Sequence, residues 1–194
     1  MSFAIAFFLI VTFATAFDLW SKGWIFGRLG MPGAANTLWV WNDVLGFQTA
    51  LNEGALFGMG QGFVLGFAFL SIAMFLGIVI WLLGPFNKNW FLVIVMGLIS
   101  GGIIGNLYDR LGWHQLRWLD DGFHTADTPV YAVRDWILVM IGSYHWPNFN
   151  LADSYLVAGI ILLGIYIISK DEVLRQALVS FVKKIRVLVF GNET

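Results

Sequence analysis

The chain has 194 residues, 59% of them hydrophobic and 12% charged, with a formal net charge of −1. A soluble domain of this composition would expose large apolar patches, so the chain is expected to sit in a membrane, and without a basic stripe nucleic acid is not an expected partner. There is no cysteine, which excludes disulfides, thiolate metal ligands, a thiol nucleophile and a lipid carried on a cysteine of its own.

Four segments approach the roughly 20 apolar residues that a spanning helix needs: about 3–22, 63–83, 90–108 and 151–169. They predict an all-α membrane protein, a single integral domain over 1–194 with four transmembrane helices, outer loops at 23–62 and 111–148, a small extracytoplasmic β-sheet and an interfacial helix. In the first span Ala14-Thr15-Ala16 resembles a secretory cleavage site, but no basic stretch precedes it, and the segment is expected to stay uncleaved. Asp18 and Lys22, four residues apart, share a helix face and can neutralise each other at the membrane boundary. In the first outer loop Thr37–Trp41 and Leu45–Ala50 are short β-prone runs broken by Asn42-Asp43, which predicts a small sheet on the membrane surface. After them, Asn52-Glu53-Gly54-Ala55-Leu56-Phe57 reads as a turn.

The second span stops at Gly84-Pro85. The third carries Gly97, Gly101 and Gly105 at four-residue spacing, a face that admits a neighbouring backbone. It ends in Asn106, Asp109 and Arg110 on one face. Asp109 and Arg110 read as a helix-end charge pair, while Asn106 lies a turn deeper and needs partners. The second outer loop is rich in Trp, Asp and His; His114, His124 and His145 lack metal-ligand spacing, and neither a metal nor another cofactor is expected. Asn150 and Asp153, one turn apart, fit a helix N-cap with an acidic first turn.

Trp81, Trp90 and Tyr166 fall near span ends, as belt aromatics do. The tail at 173–189 places Leu174, Ala177, Leu178, Phe181, Val182 and Ile185 at helical spacing beside Lys183, Lys184 and Arg186, the pattern of an amphipathic helix on an anionic leaflet. Lys88, Lys170, Arg175, Lys183, Lys184 and Arg186 lie on one side; Lys22, Arg28, Arg110, Arg117 and Arg134 lie on the other. The basic cluster after the fourth span assigns the tail to the cytoplasm.

Asp135 and Asp153 stand at the edges of apolar segments. A charge in mid-membrane costs roughly 2.5–3.5 kcal/mol on insertion scales, and less near the interface, so such residues are functional candidates. Two carboxylates sharing one proton can hydrolyse a peptide bond without metal or covalent intermediate. Intramembrane acids also suit a proton-coupled transporter, although here the charges cluster at one end of the spans.

Taken in order, Asp18…Lys22, Asn52-x-Gly54-Ala55-x-Phe57, Gly101-Gly102-x-x-Gly105-Asn106-x-x-Asp109-Arg110 and Phe149-Asn150-x-Ala152-Asp153-Ser154 resemble the lipoprotein signal peptidase (signal peptidase II) family over nearly the whole chain. The resemblance implies a multi-pass aspartic endopeptidase of the bacterial inner membrane, working at the periplasmic face. Its implied partners are membrane lipid and diacylglyceryl-modified prolipoproteins, which it would cut just before the lipidated cysteine; a monomer is expected. It implies Asp135 and Asp153 as the catalytic pair, with Asn52, Gly54, Asn106, Asp109, Arg110, Asn150, Asp18 and Lys22 in support. Val133-Arg134-Asp135-Trp136-Ile137 departs from the family pattern at Arg134, where an apolar residue is usual, and the stretch from Arg110 to Asp135 is unusually long. Its Asp120, Asp121 and Asp127 read as solvated acids; Asp127, the rival for the pair, lacks the apolar frame around Asp135.

Overall fold

The computed structural model describes residues 2–33, 37–54, 60, 62–86, 88–120, 122–176 and 179–181. Among the described residues, four helices are long and apolar enough to cross a membrane: α1 (Phe3–Leu29), α2 (Val64–Leu83), α3 (Trp90–Arg110) and α4 (Leu151–Lys170). Phe3 packs edge-on against Trp90, and Asn89 donates to the Tyr166 hydroxyl at 2.8 Å. The start of α1, the start of α3 and the end of α4 therefore share one end of the bundle. The polar residues of the motifs collect at the other.

Helix α3 is the axle, touching the other three helices. Its glycine stripe is what lets α1 in. A Cβ on Gly97 would fall 2.8 Å from Ile10, one on Gly101 2.6 Å from Ala14, and one on Gly105 2.5 Å from Asp18 Oδ2. Those partners are themselves four residues apart, so two helical rows run alongside at backbone contact. On the adjoining face a Cβ on Gly102 would lie 2.5 Å from the Ala152 carbonyl, which seats the first turn of α4 equally close.

The first helix outruns its predicted end near residue 22 and continues to Leu29. Its extra turns are buried on one side, where Ile25 and Phe26 pack against Trp136 with Phe47 beside them, while Trp24 is exposed. Trp136 and Phe47 belong to an antiparallel sheet ordered β1 (Leu38–Trp41), β2 (Leu45–Asn52), β3 (Val133–Ile141), β4 (Tyr144–Phe149). The loop between α1 and α2 supplies β1 and β2, as its pattern predicts; the loop between α3 and α4 completes the sheet. Irregularities in register fall between Phe47 and Ala50 and between Ile137 and Val139. Such breaks bend and twist a sheet, and here it curls until Asn148 of β4 reaches over β3 to donate to the Gln48 carbonyl of β2 at 2.9 Å.

In the tail, residues 172–176 and 179–181 are helical. The rest of the predicted amphipathic segment, with Lys183, Lys184 and Arg186, lies outside the described residues, as do Ala55, Phe57 and Asp121.

Candidate active site

At the sheet end of the bundle, Lys22 projects from α1 into α3 with no exposed surface. Its ammonium meets three oxygens: ion pairs to Asp18 Oδ2 at 2.7 Å and Asp109 Oδ2 at 3.2 Å, and a hydrogen bond donated to Asn106 Oδ1 at 3.0 Å. The predicted Asp18–Lys22 pair is thus present, but it is half of a larger assembly. Asp109 does not pair with Arg110. Its Oδ1 accepts from Arg134 Nε at 3.1 Å and Nη2 at 2.8 Å, and its Oδ2 also accepts the Arg134 N–H at 3.0 Å. Two cations and two carboxylates close a neutral cluster. That accounts for Arg134: strand alternation turns it away from Asp135 and onto Asp109. Freed from Asp109, Arg110 donates to the Gly54 carbonyl at 3.2 Å and lies over the Phe67 ring.

The cluster sets the position of α4. Asp18 Oδ1 accepts the Ala152 N–H at 2.9 Å, occupying one of the free donors of the helix start. Asn150 is the N-cap: its Oδ1 accepts from the Asp153 N–H at 2.9 Å, while Asp153 Oδ2 takes the Asn150 N–H at 3.3 Å. This reciprocal box fixes the backbone on both sides of Asp153. Gly105 is part of the arrangement, because the space it leaves is filled by the Asp18 carboxylate. Gly105→Ala is expected to destabilise the fold by about 1–3 kcal/mol, the usual cost of overpacking, and to lower activity with it. Thermal unfolding in detergent, run beside the activity assay, checks both.

Two amides bring Asp135 and Asp153 together. Asn150 Nδ2 donates to Asp135 Oδ1 at 2.6 Å. Asn106 Nδ2 donates to Asp153 Oδ1 at 2.8 Å, and Asn106 Oδ1 accepts from both Lys22 and Asn150 Nδ2, the latter at 3.3 Å. With donors on its oxygen, the Asn106 amide can present only its nitrogen to Asp153. Asn52, at the end of β2, also hydrogen-bonds Asp135 and accepts the Gly54 N–H at 3.0 Å, the turn its sequence predicts. Asp135 is buried and Asp153 half-buried. Burial, reinforced by the nearby Asp153 charge, pushes the Asp135 carboxyl from its ordinary 3.8 up to about 8.

Asp153 opens onto a groove of about 420 Å³ between α4 and β4. Asn52, Asn106 and Arg110 form its polar end; Val157, Ala158 and Ile161 continue it along α4, and Trp146 and Phe149 face them from the sheet. Polar chemistry at one end and an apolar trough down a spanning helix suit an amphiphilic ligand.

The three histidines go to separate partners. His114 Nδ1 accepts the Leu116 N–H at 3.0 Å, which leaves Nε2–H to face the Ala132 carbonyl at 3.4 Å. Burial holds this imidazole below its ordinary range. A depressed histidine contributes stability above its unfolded value, and that contribution is lost as pH falls through the folded one. Limited proteolysis within 111–132 is therefore expected to accelerate as pH drops below about 6.5. Asp120 and Asp127 are exposed, as solvated acids should be.

Four spanning helices, a curled sheet and a polar groove entering the bundle make this a multi-pass membrane protein. The architecture matches two solved bacterial membrane enzymes. One aligns with a TM-score of 0.68 at 26% identity over 84% of this chain and 87% of that one. The other gives 0.67 at 25% identity, over 85% and 94%. The family model for signal peptidase (SPase) II matches residues 10–169. A lipoprotein signal peptidase of Rhodopirellula baltica is 42% identical over 81% of this chain and 69% of its own length. One from Geobacillus thermodenitrificans is 31% identical over 84% and 89%. The chain belongs to the signal peptidase II family, which makes it a protease.

Proposed function

We propose that the protein is an aspartic endopeptidase of the bacterial inner membrane that removes signal peptides from diacylglyceryl-modified prolipoproteins, cutting before the lipidated cysteine. The observation that carries this reading is the convergence of Asp135 and Asp153 on Asn150 at the mouth of an apolar groove. The relatives' shared name supplies the substrate, and the trough along α4 suits its acyl chains.

Asp135 carries the shared proton near neutral pH, since burial and its neighbour's charge disfavour its ionisation. Asp153, facing the groove, takes a proton from water as that water attacks the scissile carbonyl. Asp135 donates to the carbonyl oxygen, and the pair exchanges roles as the leaving amine is protonated. Asn106 and Asn150 hold the carboxyls; Lys22, Asp18, Asp109 and Arg134 hold the amides and α4. No step needs a metal or cofactor.

The sheet and the groove mouth belong at the periplasmic face, with the basic tail on the cytoplasmic leaflet. The monomer is the working unit, because both carboxyls come from one chain. Incubating the purified protein in detergent with a diacylglyceryl peptide and with its unlipidated twin tests the proposal. Cleavage of the lipidated peptide alone, immediately before the modified cysteine, is the expected result. Equal cutting of both, or of neither, would remove the reading.

A further inference from the structure

Residues 111–132, between α3 and β3, take no part in the chemistry described so far. They form a hairpin: Trp118 N–H donates to the Thr128 carbonyl at 2.9 Å, Asp127 N–H to the Trp118 carbonyl at 2.9 Å, and Val130 N–H to the Leu116 carbonyl at 3.1 Å. Its tip turns back on itself. The His124 ring lies flat on Trp118, centroids 3.6 Å apart and planes 4° from parallel. From there His124 Nε2 stands 3.5 Å from Glu53 Oε1.

Glu53 lies between two residues that reach the site. On one side Asn52 hydrogen-bonds Asp135; on the other the Gly54 carbonyl holds Arg110. Strand β2 ends at Asn52, so the turn that follows has left the sheet ladder. Its inner contacts run to the carboxyl pair and to Arg110, while the hairpin tip meets it from outside. The stacked indole restricts the imidazole before it meets the carboxylate, which reduces the ordering cost of the contact.

We propose that the 111–132 hairpin is a strut that positions the Asn52–Gly54 turn against the carboxyl pair, with His124 and Glu53 as the positioning contact and Trp118 as its backing. The inference rests on the endopeptidase reading for its kinetic consequence, and on the contacts alone for its structural one. Because Asn52 meets Asp135, loosening the strut slows the chemical step more than it weakens substrate binding.

An exchange of the two residues tests this with the diacylglyceryl peptide as substrate. Each of His124→Glu and Glu53→His lowers kcat about two- to fivefold, the range a half-exposed pair supports, with KM unchanged. The double exchange returns kcat to the parent value. Single losses that simply multiply in the double variant overturn the strut. A second variant replaces residues 119–126 by Asn-Gly, a two-residue turn that can close the same ladder. Hydrogen exchange at the Gly54 amide, protected by Asn52 Oδ1, then reads the strut without reference to activity. Acceleration of about tenfold is expected, and unchanged exchange overturns the proposal. Should the parent protein fail to cut the lipidated peptide, the endopeptidase reading falls, and Gly54 exchange still decides the strut.

Discussion

Asp135→Asn is expected to cost at least about 10³-fold in cleavage rate, as loss of one member of a catalytic unit does, and to leave a folded protein that melts higher above neutral pH. Asp153→Asn should match it in activity. The amide keeps the shape of the protonated carboxyl but cannot pass a proton, so binding of the lipidated peptide survives in both variants. The stability change has its own sign. A carboxyl raised to about 8 in the fold stabilises fully below its ordinary 3.8, and that contribution is lost as pH rises through the folded value. The gap in melting temperature between Asp135→Asn and the parent should therefore widen from pH 5 to pH 9. The parent's kcat should fall above about pH 8, where the pair loses its remaining proton. An Asp135→Asn variant with full activity, or a rate still rising at pH 9, would dismiss the acid–base assignment.

Lys22→Met should be the most damaging substitution outside the carboxyl pair. It removes three interactions at once and leaves Asp18 and Asp109 buried, with Arg134 as the one remaining cation of the cluster. Breaking a buried pair by removing one partner costs about 3–5 kcal/mol, a large share of a domain's net stability. Asn106 loses a donor that orients it, and Asp18, which caps α4, loses its counter-charge. The expected result is a sharp drop in melting temperature and in accumulation in the membrane. Activity per folded molecule should fall as well. Adding Asp18→Asn to Lys22→Met, which removes the stranded charge and leaves Asp109 paired with Arg134, should recover part of the stability and none of the activity. An Lys22→Met protein that melts like the parent would show that the cluster is not what holds the helices.

The distribution of apolar residues along the chain already dictates four spans, and a four-residue interval predicts both the Asp18–Lys22 contact and the glycine face of α3. These are local regularities: a helix places i and i+4 together whatever surrounds it, and a stretch of some 20 apolar residues has nowhere to go but lipid. The Asn150–Asp153 box is legible for the same reason. The resemblance to a peptidase family singled out Asp135 and Asp153, because motif order is also a property of the chain alone. Partner choice is not. Lys22 meets Asn106 across 84 positions and Asp18 meets Ala152 across 134, distances at which no periodicity speaks. Arg110, adjacent to Asp109, looks like its natural partner, yet the carboxylate goes to Arg134 because β3 crosses the end of α3 at that height. Gly105 reads as packing until the Asp18 carboxylate is seen in the space its missing side chain leaves. The hairpin at 111–132 reads as loop, since the contact that ties it to the site, His124 to Glu53, spans 71 positions. Chain-local spacing decides which elements form and which residues carry charge. Which charge meets which is settled only when the helices and the sheet close on one another, since a desolvated ion accepts whatever counter-charge the packing brings within reach.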